Sequence, residues 1–168
     1  VAVLYRTNAQ SRAIEQALLY SRIPYQIFGG LRFYERKEIK DIVAYLRFLQ
    51  NPADALSLKR IVNVPARGIG PKTFLAYLDG TWSSLPAHDR EKLERFEALS
   101  ARLREAMSTR TLAEFLRFLI RTTRYEEYLT DGSPESEGRI ENVRELVSVA
   151  RKYDALPLGE AVTKLLEE

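Results

Sequence analysis

The sequence predicts a mainly α-helical protein in which a short β-α-β segment precedes a helical domain. The chain opens on an apolar run, residues 1–5, which is typical of a buried parallel strand. Beyond Gly29 and Gly30 the apolar residues recur with the helical period instead of the strand period. Thr111 and Glu114 have the spacing of a helix capping box. We therefore expect a boundary at residue 30, between an α/β segment (1–30) and a helical domain (31–168).

The α/β segment contains two predicted strands and one helix. The helix follows the first strand, begins near Asn8, which is a favourable capping residue, and ends near Ser21. The second strand covers residues 25–28, after Pro24. Because such a small unit cannot bury both of its faces, it should belong to a larger α/β domain with further strands. The missing strands, together with an apolar strand at the very start of the sequence, predict that the chain is a fragment.

The helical domain is predicted to contain eight helices. The first has one apolar stripe and ends at Asn51 and Pro52; the stripe consists of Ile39, Ile42, Val43, Leu46 and Leu49. The other seven are expected at residues 55–62, 71–78, 89–108, 111–121, 125–129, 136–153 and 158–168. Residues 130–134 have the composition of a loop.

Composition limits the function. The 168 residues carry a net charge of +3, so a nucleic-acid surface has to come from local clustering of basic residues. The absence of cysteine excludes disulfides and thiolate metal sites, and a single histidine, His88, leaves few options for a metal centre or catalytic triad. We expect no metal site and no catalytic residue. No apolar run is long enough to span a bilayer, so we expect a soluble, cytoplasmic protein with no membrane partner.

The segment 64–73 predicts a tight hairpin between two helices. Gly68 and Gly70 flank Ile69, which allows a turn with positive φ and a close approach of the backbone to a partner. Ile69 should anchor the turn inward. Gly70 suits the N-cap and Pro71 the first position of the next helix, whose buried face is expected to consist of Phe74, Leu75 and Leu78.

This hairpin is the candidate DNA-binding site. The N–H groups and partial positive charge of a helix N-terminus favour a phosphate, and basic or hydroxyl side chains can add donors. Residues 55–78 contain no acidic side chain. The predicted ligands are Arg67, Gly68, Ile69, Gly70, Lys72 and Thr73. The alternative is an ordinary connection between helices, in which the glycines serve only the turn.

Four segments, in order, resemble the UvrD/Rep/PcrA group of superfamily 1 DNA helicases: residues 2–12, 24–41, 64–73 and 139–146. The resemblance implies that residues 1–30 are part of the RecA-like 2A motor domain. It implies that residues 31–168 are the helical 2B domain, whose helix-hairpin-helix-like GIG turn contacts duplex DNA. The parent protein would then be an ATP-dependent 3′-to-5′ DNA helicase of repair or replication, with ATP and Mg²⁺ as cofactors.

The same resemblance implies that Arg6 and Asn8 belong to the surface along which single-stranded DNA binds, although Asn8 can also be a simple helix cap. The sequence contains neither a phosphate-binding P-loop nor an acidic Walker B strand, so the chain alone should bind no cofactor and have no ATPase activity. Implied partners are a single-strand/duplex DNA junction, the remaining motor domains, and repair or replication proteins. Gly29 and Gly30 are the candidate hinge between the two domains.

Two groups of side chains allow alternative interpretations. Arg36, Lys40 and Arg47 share a helix face, which either approaches duplex DNA or is simply solvated. The aromatic residues either stack on unpaired bases or build the core; they are Phe33, Tyr34, Tyr45 and Phe48. Two functions follow for the chain: a DNA-binding module built on the hairpin, or an autoregulatory and protein-interaction module with little DNA binding of its own.

Overall fold

The computed structural model describes residues 2–5, 8–26 and 32–167, and it confirms a mainly helical fold. The helices of these ranges, in chain order, are α1 (Asn8–Tyr20), α2 (Lys37–Gln50), α3 (Ala55–Ile61), α4 (Pro71–Leu78), α5 (Ala87–Met107), α6 (Leu112–Thr123), α7 (Tyr125–Leu129), α8 (Ser136–Ala150) and α9 (Leu158–Leu166). Short 3-10 turns occur at Phe33–Glu35, Trp82–Ser84 and Arg151–Tyr153. None of the helices in the described ranges has both the length and the apolar character needed to cross a bilayer.

The two predicted strands are not observed within the described residues. Residues 2–5 and 23–26 form no strand, and residue 1 of the first predicted strand and residues 27–28 of the second lie outside the described ranges. A strand is stabilised by hydrogen bonds to a neighbouring strand and by burial of its apolar side chains. Val3 is 53% and Leu4 94% exposed, so neither side chain is buried against the described part of the chain, whereas Tyr5 is partly buried.

The predicted helices are confirmed, with shifts of a few residues at their ends. The last turn predicted for α8 is a separate 3-10 turn. At the start of α6 the capping box is present, with the Thr111 side chain accepting from the Glu114 amide and the Glu114 carboxylate accepting from the Thr111 amide. These local signals were sufficient because each depends on residues three or four positions apart.

Helix α2 lies at the centre of the described helices and packs against α3, α5, α8 and α9. Its predicted stripe is buried except at Val43, which is partly exposed. Phe48 of α2 packs against Phe96 of α5, with ring centroids 6.0 Å apart. Phe33, Tyr45 and Phe48 are each at most 2% exposed, so these three aromatic side chains build the core and are not available to stack on bases.

A buried polar network joins α1 to the start of α2 and to α8. The Arg36 guanidinium donates to Asn142 Oδ1 of α8 at 2.8 Å and to Ser11 Oγ of α1 at 2.7 Å. The Asn142 amide in turn donates to a carboxylate oxygen of Glu38. Arg36 is therefore a structural residue and does not belong to a solvated or DNA-facing surface, whereas Lys40 and Arg47 on the same helix are exposed.

The predicted loop before α8 is held by an aspartate. Asp131 Oδ1 accepts hydrogen bonds from the Ser133 amide at 3.0 Å and the Ser136 hydroxyl at 2.8 Å, and Arg139 donates to its carboxylate at 3.0 Å. These serine hydrogen bonds, with a further contribution from Arg139, hold the pKa of the Asp131 carboxyl well below its usual value. The loop is therefore stabilised by the ionised form of this side chain.

Candidate nucleic-acid interface

The connection between α3 and α4, residues 62–70, forms a compact hairpin, which we call the GIG hairpin. Gly70 is the N-cap of α4 and Pro71 occupies the first turn, as predicted. Gly68 has φ +69°, a conformation that favours glycine, and it is exposed. Gly70 has φ −70° and ψ 166°, an extended conformation that any residue adopts. The predicted positive φ is therefore correct for Gly68 and wrong for Gly70.

Asn63 organises the interior of the GIG hairpin. Its side-chain oxygen accepts from the Ile69 amide at 3.0 Å and from the Arg67 amide at 3.3 Å, and its side-chain amide donates to the Ile69 carbonyl. Ile69 is 3% exposed and so anchors the turn inward, as predicted. Asn63 was not among the predicted site residues, although asparagine commonly bonds to nearby backbone in turns. The hairpin is thus fixed in shape without a ligand.

Arg67 holds the hairpin onto the helices beneath it. One terminal nitrogen donates to the carbonyls of Ile61 at 2.8 Å and Val62 at 3.1 Å, at the C-terminal end of α3. The other donates to the Tyr45 hydroxyl at 2.6 Å, and that hydroxyl donates to the Val64 carbonyl. Burial raises the pKa of the Tyr45 hydroxyl, which therefore stays protonated as a donor. Arg67 was predicted to bind phosphate, but three of its donor bonds already go to protein acceptors.

The hairpin and the first turn of α4 contain four backbone donors that are unused within the described part of the chain. The amides are those of Gly68, Gly70, Lys72 and Thr73, and no acceptor for any of them is present in the part of the chain that the structure describes. Two of these amides belong to the first turn of α4, where the helix dipole adds partial positive charge. Such a group of amides is suited to an anion.

Two lysines contribute positive charge near these amides. The Lys72 side chain is exposed and has no ion pair or hydrogen bond within the described residues. Lys92 of α5 lies beside Gly68, its Cε 3.7 Å from the position that a Cβ on Gly68 would take. Its ammonium group is 3.0 Å from a carboxylate oxygen of Asp89, which partly compensates its charge. Sequence spacing could not reveal Lys92, because it reaches the hairpin from another helix.

The buried face of α4 differs from the prediction. Leu75 is 58% and Leu78 42% exposed, whereas Thr73 is 5% exposed and Phe74 and Tyr77 are partly buried. The helix is rotated relative to the predicted face because Tyr77 packs edge-on against Phe96 and hydrogen-bonds to Glu97. The Thr73 hydroxyl is consequently not on the surface, and this residue can offer only its amide.

The other predicted site residues lie partly outside the described ranges. Arg6 and the candidate hinge residues Gly29 and Gly30 are outside them. Asn8 begins α1, and its side chain is also outside what the structure describes. The single-strand contact and the hinge therefore stay predictions.

Comparison with known proteins identifies the class. Residues 1–168 match the family described as the UvrD-like helicase C-terminal domain, and the chain belongs to this family. It is 40% identical over 176 aligned residues to the ATP-dependent DNA helicase UvrD1 of Mycobacterium tuberculosis, covering 91% of this chain and 22% of that protein.

Two further relatives are similar over most of the chain. The ATP-dependent DNA helicase PcrA of Bacillus subtilis is 37% identical, with 92% of this chain and 23% of that protein covered. DNA helicase II of Haemophilus influenzae is 37% identical, with 98% of this chain and 25% of that protein covered. The chain thus spans about a quarter of the length of these relatives.

Proposed function

We propose that this chain is the part of an ATP-dependent DNA helicase that holds duplex DNA by its phosphates, through the GIG hairpin and the first turn of α4. Membership of the UvrD-like family and the names of the relatives support the helicase class. The observation that carries the binding role is the group of four backbone amides without an internal acceptor, at a helix N-terminus beside Lys72.

The chemistry of these donors determines the kind of recognition. Backbone amides and a lysine ammonium bond to phosphate oxygens, which are the same at every base pair, so binding is independent of sequence. The fixed geometry of the hairpin favours binding, since Asn63 and Arg67 order the donors before the ligand arrives. Neutralising phosphates releases counterions, so affinity falls steeply with salt.

The remaining helicase functions are assigned to the longer parent protein. Residues 1–30 form part of its 2A motor domain, residues 31–168 its 2B domain, and ATP and Mg²⁺ bind to motor elements absent from this sequence. Arg6 and Asn8 contact the single strand, and Gly29 and Gly30 allow the two domains to move. This division rests on the resemblance to UvrD, Rep and PcrA.

A second function, as an autoregulatory or protein-interaction module, is favoured by the exposed apolar side chains of α4. Leu75 and Leu78 lie three residues apart and so share a face of the helix that begins at the hairpin. A protein that covers this face would also cover the hairpin. In that case the chain would bind DNA weakly on its own.

Fluorescence anisotropy with a labelled 12-base-pair duplex, measured over a series of salt concentrations, distinguishes these functions. The Lys72→Gln variant should bind more weakly and lower the salt slope by about 0.9, the value expected for one phosphate contact. Lys164→Gln on α9 is the matched control, because this lysine is exposed and its pairing with Glu167 is a weak surface contact. Equal effects of the two substitutions, or no duplex binding at low salt, would favour the protein-interaction function.

A further inference from the structure

A second basic surface lies on helices α6, α7 and α8, and none of its residues belongs to the GIG hairpin. These helices enclose a shallow groove of about 540 Å³. Its floor contains the nearly buried side chains of Ile120 and Val147. Five arginines surround the floor, and we call this surface the arginine groove: Arg117, Arg121, Arg124, Arg144 and Arg151.

Helix periodicity brings these arginines together. Arg117 and Arg121 are one turn apart on α6 and so lie on one face. The rest of α6 is mostly buried, including Phe115, Leu116 and Leu119. The exposed face of α6 is therefore the face that carries arginines, and it faces solvent rather than another described helix.

Most of the positive charge in the groove is uncompensated. Arg117, Arg121 and Arg151 are exposed, and their side chains have no ion pair or hydrogen bond among the residues that the structure describes. The other two arginines have exposed acidic partners: Arg144 lies 3.6 Å from Glu126, and Arg124 pairs with Glu127. Surface pairs of this kind contribute little stability and exchange readily for another partner.

The arrangement selects among anions. Guanidinium groups form bidentate bonds with carboxylates as well as phosphates. Glu126 and Glu127 line the groove and would repel a continuous phosphate backbone along it, whereas the separate carboxylates of a peptide can lie beside the arginines alone. The apolar floor at Ile120 and Val147 offers a contact for an aliphatic side chain, which a phosphate backbone lacks.

We propose that the arginine groove binds an acidic peptide segment of a partner protein, with an aliphatic residue between its carboxylates. The side chains of Arg117, Arg121 and Arg151 pair with the carboxylates, and the aliphatic side chain lies over Ile120 and Val147. Arginine-rich, partly apolar surfaces are typical of protein interfaces.

The test uses a fluorescent eight-residue peptide of aspartate and glutamate with one central leucine, and the labelled 12-base-pair duplex as a second probe. The variant Arg117→Gln/Arg121→Gln/Arg151→Gln removes three exposed charges from the groove. Its matched control, Lys40→Gln/Lys59→Gln/Lys72→Gln, removes three exposed charges elsewhere, including the one at the hairpin. Circular dichroism confirms that both variants are folded.

We expect the arginine variant to bind the peptide about tenfold more weakly, since each lost contact accounts for a factor of about two to three. The lysine variant should bind the peptide within about threefold of the wild type, and it alone should lose duplex binding. Equal peptide binding by the two variants would show a bulk charge effect and overturn the proposal. A tenfold loss of duplex binding in the arginine variant would also overturn it, because the groove would then bind nucleic acid. If both variants still bind the duplex as the wild type does, the result would contradict only the proposed role of the hairpin and not that of the arginine groove.

Discussion

Replacing Gly70 by aspartate should separate the stability of the hairpin from its anion binding. Gly70 has an extended backbone, and a Cβ placed on it meets no atom within 4 Å. A larger residue therefore fits without strain. As the N-cap of α4, an aspartate can accept from the free amides of the first turn and place its charge at the positive end of the helix dipole. We expect Gly70→Asp to raise the free energy of unfolding by about 0.5–1 kcal/mol.

The same substitution should prevent phosphate binding. It places a negative charge where the phosphate would lie, and two like charges about 4 Å apart repel by about 1–4 kcal/mol across the range of surface dielectric constants. Duplex binding at low salt should fall by about tenfold or more. The measurements are urea unfolding for stability and fluorescence anisotropy on the 12-base-pair duplex for binding.

Gly70→Asn is the matched control, because asparagine caps a helix as well as aspartate and has almost the same shape without the charge. Its oxygen also competes for the amides, so a moderate loss of binding is expected. The difference between the two variants isolates the electrostatic effect. If Gly70→Asp and Gly70→Asn bind the duplex equally well, no phosphate lies at the start of α4.

Three further predictions concern stability. Asn63→Ala removes the side-chain bonds to the Arg67 and Ile69 amides and should lower the free energy of unfolding by about 1–3 kcal/mol. The Ile69 amide hydrogen should also exchange faster with solvent, and an unchanged exchange rate would contradict the role of Asn63. Tyr45→Phe leaves a donor of Arg67 unpaired and should lower the free energy of unfolding, measured in urea, by about 1–3 kcal/mol. An unchanged urea midpoint would show that the hydrogen bond between Arg67 and Tyr45 is dispensable. The folded-state pKa of Asp131 is lowered, so its ionised carboxylate stabilises the folded protein. This stabilisation is fully present above the unfolded-state pKa and is lost as the pH falls through the folded-state pKa. Asp131→Asn should therefore reduce the difference in stability between pH 6 and pH 3, and an unchanged difference would contradict this assignment.

Features that depend on neighbouring residues could be predicted from the sequence. The apolar stripe of α2 and the capping box of α6 involve residues within one or two turns, and both are confirmed. The cap of α4 at Gly70 and the inward position of Ile69 are confirmed for the same reason. The strands of the predicted β-α-β segment depend in addition on a partner strand, which sequence pattern alone does not supply.

Features that depend on distant residues could not be predicted. Arg67 looked like a phosphate ligand because a basic residue beside a glycine turn is common at such sites, but its partners Tyr45 and Ile61 become apparent only in the folded chain. Arg36 bonds to Asn142, which is 106 positions away. The face that α4 buries is determined by contacts with α5 and could not be read from α4 alone.

Phosphate binding by the hairpin amides can be observed residue by residue in an NMR titration of the amide signals with the 12-base-pair duplex. The amide signals of Gly68, Gly70, Lys72 and Thr73 should shift together and saturate at one affinity, which falls as salt is added. The amides around Arg117 and Arg151 should shift little. Shifts confined to the arginine groove, with the hairpin signals unchanged at saturation, would show that the hairpin does not bind phosphate.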